Sequence, residues 1–178
     1  LWQQAPLHKS ALVAAYHSMV SSGEWEEEDD LLTTIRLKPV RTLSGVTTVT
    51  VLTKPYPCPG RCIFCPDDVR MPKSYLPDEP GAMRAVEHDY DPHAQVTSRL
   101  EALRSVGHPT DKVELLILGG TFSSYRRDYQ AWFVQHCFEA LNSPELTPPG
   151  GGMQAVHALN ETARHRCVGL SVETRPDE

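Results

Sequence analysis

The sequence predicts an α/β fold: the incomplete first part of a parallel (β/α) partial TIM barrel, with a small helical segment at its N-terminal side. Three short runs rich in β-branched and aliphatic residues carry this reading, at 46–52, 113–118 and 168–172. They are separated by stretches in which apolar residues recur at helical spacing. Strands that alternate with helices make βαβ units and a parallel sheet. The middle run, Val113-Glu114-Leu115-Leu116-Ile117-Leu118, is nearly all apolar, as a parallel strand covered on both faces should be.

In chain order, residues 1–40 are expected to form the helical segment and 41–178 the barrel part. From Pro6, the residues Leu7, Leu12, Val13, Ala15, Tyr16, Met19 and Val20 give an amphipathic helix that Ser21-Ser22-Gly23 ends. Asp30 is expected to cap a short second helix over Leu31, Leu32 and Ile35. The first strand, 46–52, leads directly into a cysteine loop, at the strand end where parallel barrels carry their chemistry. Residues 66–80 are proline-rich and without period, and are read as an ordered lid over that loop. Short helices follow at 83–88 and from Asp91-Pro92 to 106, with Val96, Leu100 and Leu103 inward and Gly107 as the stop.

The second strand ends in Gly119-Gly120-Thr121, where two glycines let the backbone approach a ligand and expose carbonyls to it. A helix at 129–141 is expected to bury Trp132, Phe133, His136, Cys137 and Ala140, with Cys137 a core residue and not a ligand. A Pro- and Gly-rich connection at 143–152 precedes a helix at 153–164. The third strand, 168–172, has Cys167 at its entry and Glu173 and Arg175 at its exit, the end that carries the cysteine loop. Glu173 and Arg175 read either as ligand-binding groups or as a local ion pair capping the strand. Three strands do not close a barrel, so the domain is expected to be incomplete.

With 178 residues, 40% hydrophobic and 22% charged, the composition suits one globular domain. There is no apolar run of membrane-spanning length and no signal peptide at Leu1-Trp2-Gln3-Gln4, so a cytoplasmic location is expected; Leu1 is read as following a trimmed, undefined or disordered terminus. The net charge of −6 comes largely from one acidic block, Glu24, Glu26, Glu27, Glu28, Asp29 and Asp30. An RNA-binding face would therefore be a local patch. Candidates are Arg36, Lys38, Arg41, Lys54, Arg61, Arg70, Lys73 and Arg84, each of which reads equally well as a solvated surface charge.

The sharpest signal lies in the run from Lys54 to Pro66. Cys58, Cys62 and Cys65 follow Cys-x3-Cys-x2-Cys spacing on a loop stiffened by Pro57, Pro59 and Pro66 and turned at Gly60. A 4Fe–4S cube normally takes four thiolates, so a loop offering three leaves one iron open to a substrate or cofactor. A structural zinc site is the alternative, but it wants four ligands in paired half-sites. Cys137 and Cys167 are distant, and His88 has no ligand-spaced partner. Five cysteines are an odd number for disulfides. Spacing ranks the cluster first and leaves zinc open.

This spacing, with Phe64 before the last cysteine, resembles the cluster loop of radical S-adenosylmethionine (SAM) enzymes. The longer run from Lys54 through Tyr75 to Met83-Arg84-Ala85, with Gly119-Gly120-Thr121-Phe122 and Glu173-Thr174-Arg175-Pro176-Asp177, is similar to the catalytic subunit of Elongator in its short bacterial or archaeal form. The likeness covers roughly positions 36 to 178. It implies a 4Fe–4S cluster on Cys58, Cys62 and Cys65, and SAM bound at the open iron. Gly119 and Gly120 would accept from the SAM amino group, Glu173 would bind the ribose hydroxyls, and Arg175 would grip the carboxylate. The implied reaction is tRNA carboxymethyluridine synthesis: a SAM-derived radical takes hydrogen from the acetyl methyl of acetyl-CoA, and the carbon adds to the wobble uridine of tRNA. Lys112 matches an acetyl-CoA-contacting lysine, and the N-terminal segment could be the remainder of a tRNA-holding region. The resemblance implies no catalytic side chain beyond the cluster and SAM, an electron donor as partner, and a following acetyltransferase domain absent from this chain. Two other readings stand beside it: a radical SAM enzyme with a different substrate, and a zinc-stabilised RNA-binding module without catalysis.

Overall fold

A computed structural model of the chain describes residues 8–66, 68–142 and 152–177. Its helices are α1 (Lys9–Ser22), α2 (Asp29–Ile35), α3 (Pro80–Glu87), α4 (Pro92–Arg104), α5 (Arg127–Asn142) and α6 (Gly152–Asn160). Its strands are β1 (Thr47–Leu52), β2 (Lys112–Leu118) and β3 (Arg166–Val172). Short 3₁₀ turns lie at Pro39–Thr42 and Phe122–Ser124. The start of the expected first helix at Pro6 and Leu7, and nearly all of the connection at 143–152, lie outside the described residues.

The sheet has the order β1-β2-β3 and both pairings are parallel. Thr47 stands opposite Val113 and Leu52 opposite Leu118, so β1 and β2 end level with one another. On one face Val49, Val51, Val113, Leu115 and Ile117 pack against Val96, Leu100 and Leu103 of α4 and Phe133, Cys137, Ala140 and Leu141 of α5. The other face is less covered than the apolar run of β2 predicts: Leu116 and Leu118 stay half-buried, and Val168, Leu170 and Val172 of β3 are exposed. Within the expected cover, Met71 and Tyr75 pack with Leu52, Ala82 and Ala85 in a second apolar cluster, while Asp67 lies outside the described residues.

Helix ends follow local chemistry. Gly23 takes the left-handed conformation after α1, at φ 77°. Asp91 caps α4, its carboxylate accepting from Ala94 N at 2.7 Å, with Pro92 at the first position. Trp132 of α5, expected on the buried side, is exposed, and the expectations for α2, α1 and α6 also need correction. Asp30 is not a cap: α2 begins at Asp29, and both aspartates lie in its first turn, where the helix dipole favours negative charge. α1 buries only Val13 and Tyr16, and Leu12 is exposed. The helix expected to reach 164 stops at Asn160, whose buried side chain diverts the chain into β3: its amide donates to Asn142 Oδ1 and His165 O, and its Oδ1 accepts from Cys167 N at 2.7 Å.

Gln95 on α4 fixes the end of the edge strand β1. Its Oε1 accepts from Leu52 N at 2.9 Å and its Nε2 donates to Leu52 O at 3.0 Å, imitating a strand partner inside the protein. The cysteine loop leaves the sheet immediately afterwards. Gln95→Leu strands both backbone groups in an apolar setting, at a cost of about 3 kcal/mol, measurable as a lowered urea midpoint with unchanged m-value.

Below the sheet, His108 is buried and its Nδ1 lies 3.0 Å from Thr42 Oγ1. Thr42 Oγ1 accepts from Arg36 Nη1, which leaves the hydroxyl proton free to point at a neutral imidazole. Burial, then the positive field of Arg36, Arg41 and Arg99, holds the His108 pKa below its ordinary value; a bond involving the Leu37 backbone opposes this more weakly. In the unfolded chain the ring takes up its proton near pH 6.5. The stability His108 contributes is thus present above that value and lost as the pH falls through the lower folded one. Chemical denaturation at a series of pH values should show stability falling on acidification from neutrality, with a smaller fall in His108→Gln.

Candidate active site at the strand exits

β1, β2 and β3 deliver the cysteine loop, the Gly119-Gly120 turn and Glu173 to one rim of the sheet. The loop's departure is held by a tyrosine stack. Tyr125 hydroxyl donates to Lys54 O at 2.6 Å and lies 2.8 Å from Thr53 Oγ1. The Tyr125 ring stacks on Tyr56 at 4.5 Å and on Tyr129 at 5.0 Å between centroids. Burial pushes the Tyr125 pKa up to about 12, so it remains a neutral donor.

All three loop cysteines are free thiols and line one cleft of about 450 Å³, in the size range of a small-molecule site. Each has a donor beside it. Cys58 Sγ accepts from Gly60 N at 3.3 Å and lies 3.2 Å from Thr121 Oγ1; Cys65 Sγ lies 3.7 Å from Ser74 Oγ; Cys62 Sγ accepts from Arg175 Nη1 at 3.8 Å. Such donors suit thiolates, and hydrogen bonds to sulfur tune an iron–sulfur potential. Among the described residues no group of three or more His, Cys, Asp or Glu side chains is arranged to hold a single metal ion.

Gly119 and Gly120 have φ of 138° and 93°. A Cβ at Gly119 would collide with the Thr53 side chain, and one at Gly120 would press on Lys73. The turn is held by Glu173. Its Oε2 accepts from Gly119 N at 3.0 Å, Gly120 N at 3.2 Å and Tyr75 hydroxyl at 2.8 Å. The ion pair in this region is not Glu173 with Arg175: the Arg175 fork engages Asp177, through Nε at 2.9 Å and Nη2 at 2.5 Å. Sequence reasoning missed the parts played by Tyr75, Thr121, Ser74 and Asp177. Tyr75 and Glu173 are 98 positions apart, and nothing local couples them.

The cleft thus brings together Cys58, Cys62, Cys65, Gly120, Glu173 and Arg175, with Gly119 behind, and adds Arg61 and Lys73. Lys112 is not brought there. It opens β2 opposite Arg166, at the end of the strand away from Gly119. The remaining basic residues are scattered. Lys54 places Nζ 4.6 Å over the Tyr129 ring, Arg70 pairs with Asp68 at 2.6 Å, and Arg36 donates to Gly107 O at 2.7 Å. Lys38 and Arg41 are exposed. Arg84 is half-buried, and burial together with nearby Arg41 lowers its pKa despite Glu87.

No family model matches the chain. It is 46% identical over 158 residues to tRNA uridine(34) acetyltransferase of Methanocaldococcus infernus, covering 85% of this chain and 29% of that protein. It is 50% identical over 137 residues to the protein of the same name from Dehalococcoides mccartyi, covering 77% and 29%. Elongator complex protein 3 of Schizosaccharomyces pombe matches at 37% over 161 residues, covering 84% and 29%. The chain belongs to the Elongator catalytic-subunit family. It spans less than a third of the length of these relatives. Within the Elongator family, the solved structure of archaeal Methanocaldococcus infernus Elongator protein 3, lacking residues 1–46, matches with a TM-score of 0.55 and 35% identity, over 75% of this chain and 24% of that one. The mixed α/β arrangement with a small parallel sheet is thus similar to that of an Elongator subunit. Among the described residues, no helix is long and apolar enough to cross a membrane.

Proposed function

We propose that this chain carries the radical SAM part of a tRNA wobble-uridine-modifying enzyme, which uses SAM and acetyl-CoA to form carboxymethyl-uridine at position 34. The observation that carries the reading is the convergence of three thiols, a Gly-Gly turn, a carboxylate and a guanidinium on one cleft. Cys58, Cys62 and Cys65 would hold the 4Fe–4S cluster, and the sheet would be the opening of a (β/α) barrel. When bound, the cluster supplies the electron that cleaves SAM to a 5′-deoxyadenosyl radical, drawing on an external electron donor.

The chain's own residues do the placing. Gly119 and Gly120 present backbone to the ligand without a side chain in the way. Glu173 offers an acceptor to ribose hydroxyls or an ammonium group. Arg175 has the bidentate chemistry that a carboxylate ligand needs, now turned on Asp177. The covering residues 68–80 would limit the access of water and oxygen. Arg61 and Lys73 at the cleft mouth are the best placed of the basic residues to meet tRNA phosphates. Lys112 would contact acetyl-CoA only by way of surface away from this cleft. Residues 1–40 would form the helical segment near the tRNA, and the enzyme would act in the cytoplasm.

The test is anaerobic reconstitution of the complete natural chain with iron and sulfide, followed by assay of 5′-deoxyadenosine. The reading expects formation that depends on both acetyl-CoA and a tRNA with uridine at position 34. SAM cleavage indifferent to both would identify a radical enzyme with another substrate. Stoichiometric zinc without colour would identify an RNA-binding module.

A further inference from the structure

Residues 73–75 run along the cleft and reach three of its parts. Ser74 Oγ lies 3.7 Å from Cys65 Sγ, the backbone of Lys73 runs against Gly120, and Tyr75 hydroxyl donates to Glu173 at 2.8 Å. Ser74 adopts φ 77°, a conformation that a non-glycine residue takes only when its surroundings hold it there. The Tyr75 ring is anchored in the cluster of Leu52, Met71, Ala82 and Ala85, so the hydroxyl is delivered from a fixed ring. Three donors, Tyr75 hydroxyl and the amides of Gly119 and Gly120, all meet Oε2 of Glu173. Oε1 has no protein donor among the described residues, although Glu173 lines the cleft.

We infer that Tyr75 is a positioning residue for the cleft: it locks the Glu173 carboxylate so that one oxygen braces the Gly119-Gly120 turn and the other is left as an acceptor for a hydroxyl- or ammonium-bearing nucleoside ligand. This rests on the SAM reading proposed above. The oxygen that meets the two amides is the one that meets the phenol, so the phenol holds the carboxylate in this arrangement from the lid side. Burial, then the hydrogen bond to the neighbouring carboxylate, pushes the Tyr75 pKa up, so the phenol stays a donor throughout the neutral range. The lid and the ligand-facing turn are therefore one unit: displacing Tyr75 frees the carboxylate and loosens both glycines together.

Tyr75→Phe in the complete natural chain tests this, because it keeps the packed ring and removes only the hydroxyl. Two measurements are made. Amide hydrogen exchange at Gly119 and Gly120 should quicken roughly tenfold, the scale of one lost charge-assisted hydrogen bond. The SAM concentration that half-converts the electron paramagnetic resonance spectrum of the reduced cluster should rise about tenfold, with the SAM-free spectrum unchanged. Glu173→Gln, which keeps an oxygen for the amides and turns the other acceptor into a donor, should retain slow exchange and lose most of the SAM response. Exchange as slow in Tyr75→Phe as in the unaltered protein, or an unchanged SAM midpoint, overturns the inference. So does an altered SAM-free spectrum, which would assign the hydroxyl to holding the cysteine loop instead. A natural chain whose cluster never responds to SAM fails the parent reading, and the exchange rates still decide whether Tyr75 sets the turn.

Discussion

Alanine at Cys58, Cys62 or Cys65 is expected to abolish the broad visible absorbance of the reconstituted protein and, with it, SAM cleavage. Each thiol lies beside a different donor on a different part of the cleft wall: Thr121 and Gly60 for Cys58, Arg175 for Cys62, Ser74 for Cys65. A cube bound through three irons has no spare protein ligand to recruit. Cys137 is fully buried on the inner face of α5, where burial raises its thiol pKa well above the ordinary value, and Cys167 stands at the entry of β3, the far end of the strand from Glu173. Neither can substitute. The contrast is the informative part: Cys167→Ser should leave the colour intact, and loss of absorbance there as complete as in the loop variants would mean that the ligand set has been misread. Iron and sulfide content with the visible spectrum is sufficient for the comparison.

The second large effect is on the turn itself. Gly119→Ala places a methyl group into the Thr53 side chain, at a residue whose φ is 138°. Thr53 cannot withdraw easily, because its backbone amide donates to Leu118 O at 3.0 Å and its hydroxyl meets Tyr125. Strain in the backbone and overpacking add here, for a loss of about 3 to 5 kcal/mol of folding stability. Gly120→Ala meets only Lys73, at 3.2 Å and beyond, so it should cost roughly 1 to 2 kcal/mol. Denaturant titration of the two variants checks the order. A Gly119→Ala protein as stable as the parent would show that the turn can relax, and would remove the argument that its backbone is held for a ligand.

Much of this was readable in the chain because the signals are local. The three strands are marked by their β-branched and aliphatic runs, and Asp91-Pro92 announces α4 by capping chemistry, although the apolar run of β2 does not announce the half-burial of its alternate residues. The cysteine spacing needs no fold to be noticed. What escaped is long-range. Asn160 reads as an ordinary helix residue until β3 is beside it to receive its hydrogen bonds. Trp132 and His136 fall on the same helical sector as Phe133 and Cys137, yet Trp132 remains 39% exposed because the packing of α5 against α4 is centred on the latter pair. Glu173 and Arg175 look like a natural ion pair two residues apart, but along a strand exit that spacing does not ensure contact. The carboxylate instead reaches the Gly-Gly turn from β2 and a tyrosine from the lid, a junction that exists only once β2 and β3 lie parallel and level.

On the proposed reading, Cys58, Cys62 and Cys65 at one rim hold a cube whose remaining iron is completed by SAM. Mössbauer spectroscopy of the protein reconstituted with isotopically enriched iron tests it most directly, comparing spectra before and after SAM is added. The account predicts a 4Fe–4S signal in which one iron site alone changes its parameters on addition. Iron sites that all stay unchanged with saturating SAM, or a protein that takes up zinc on these cysteines and forms no cluster, would contradict it.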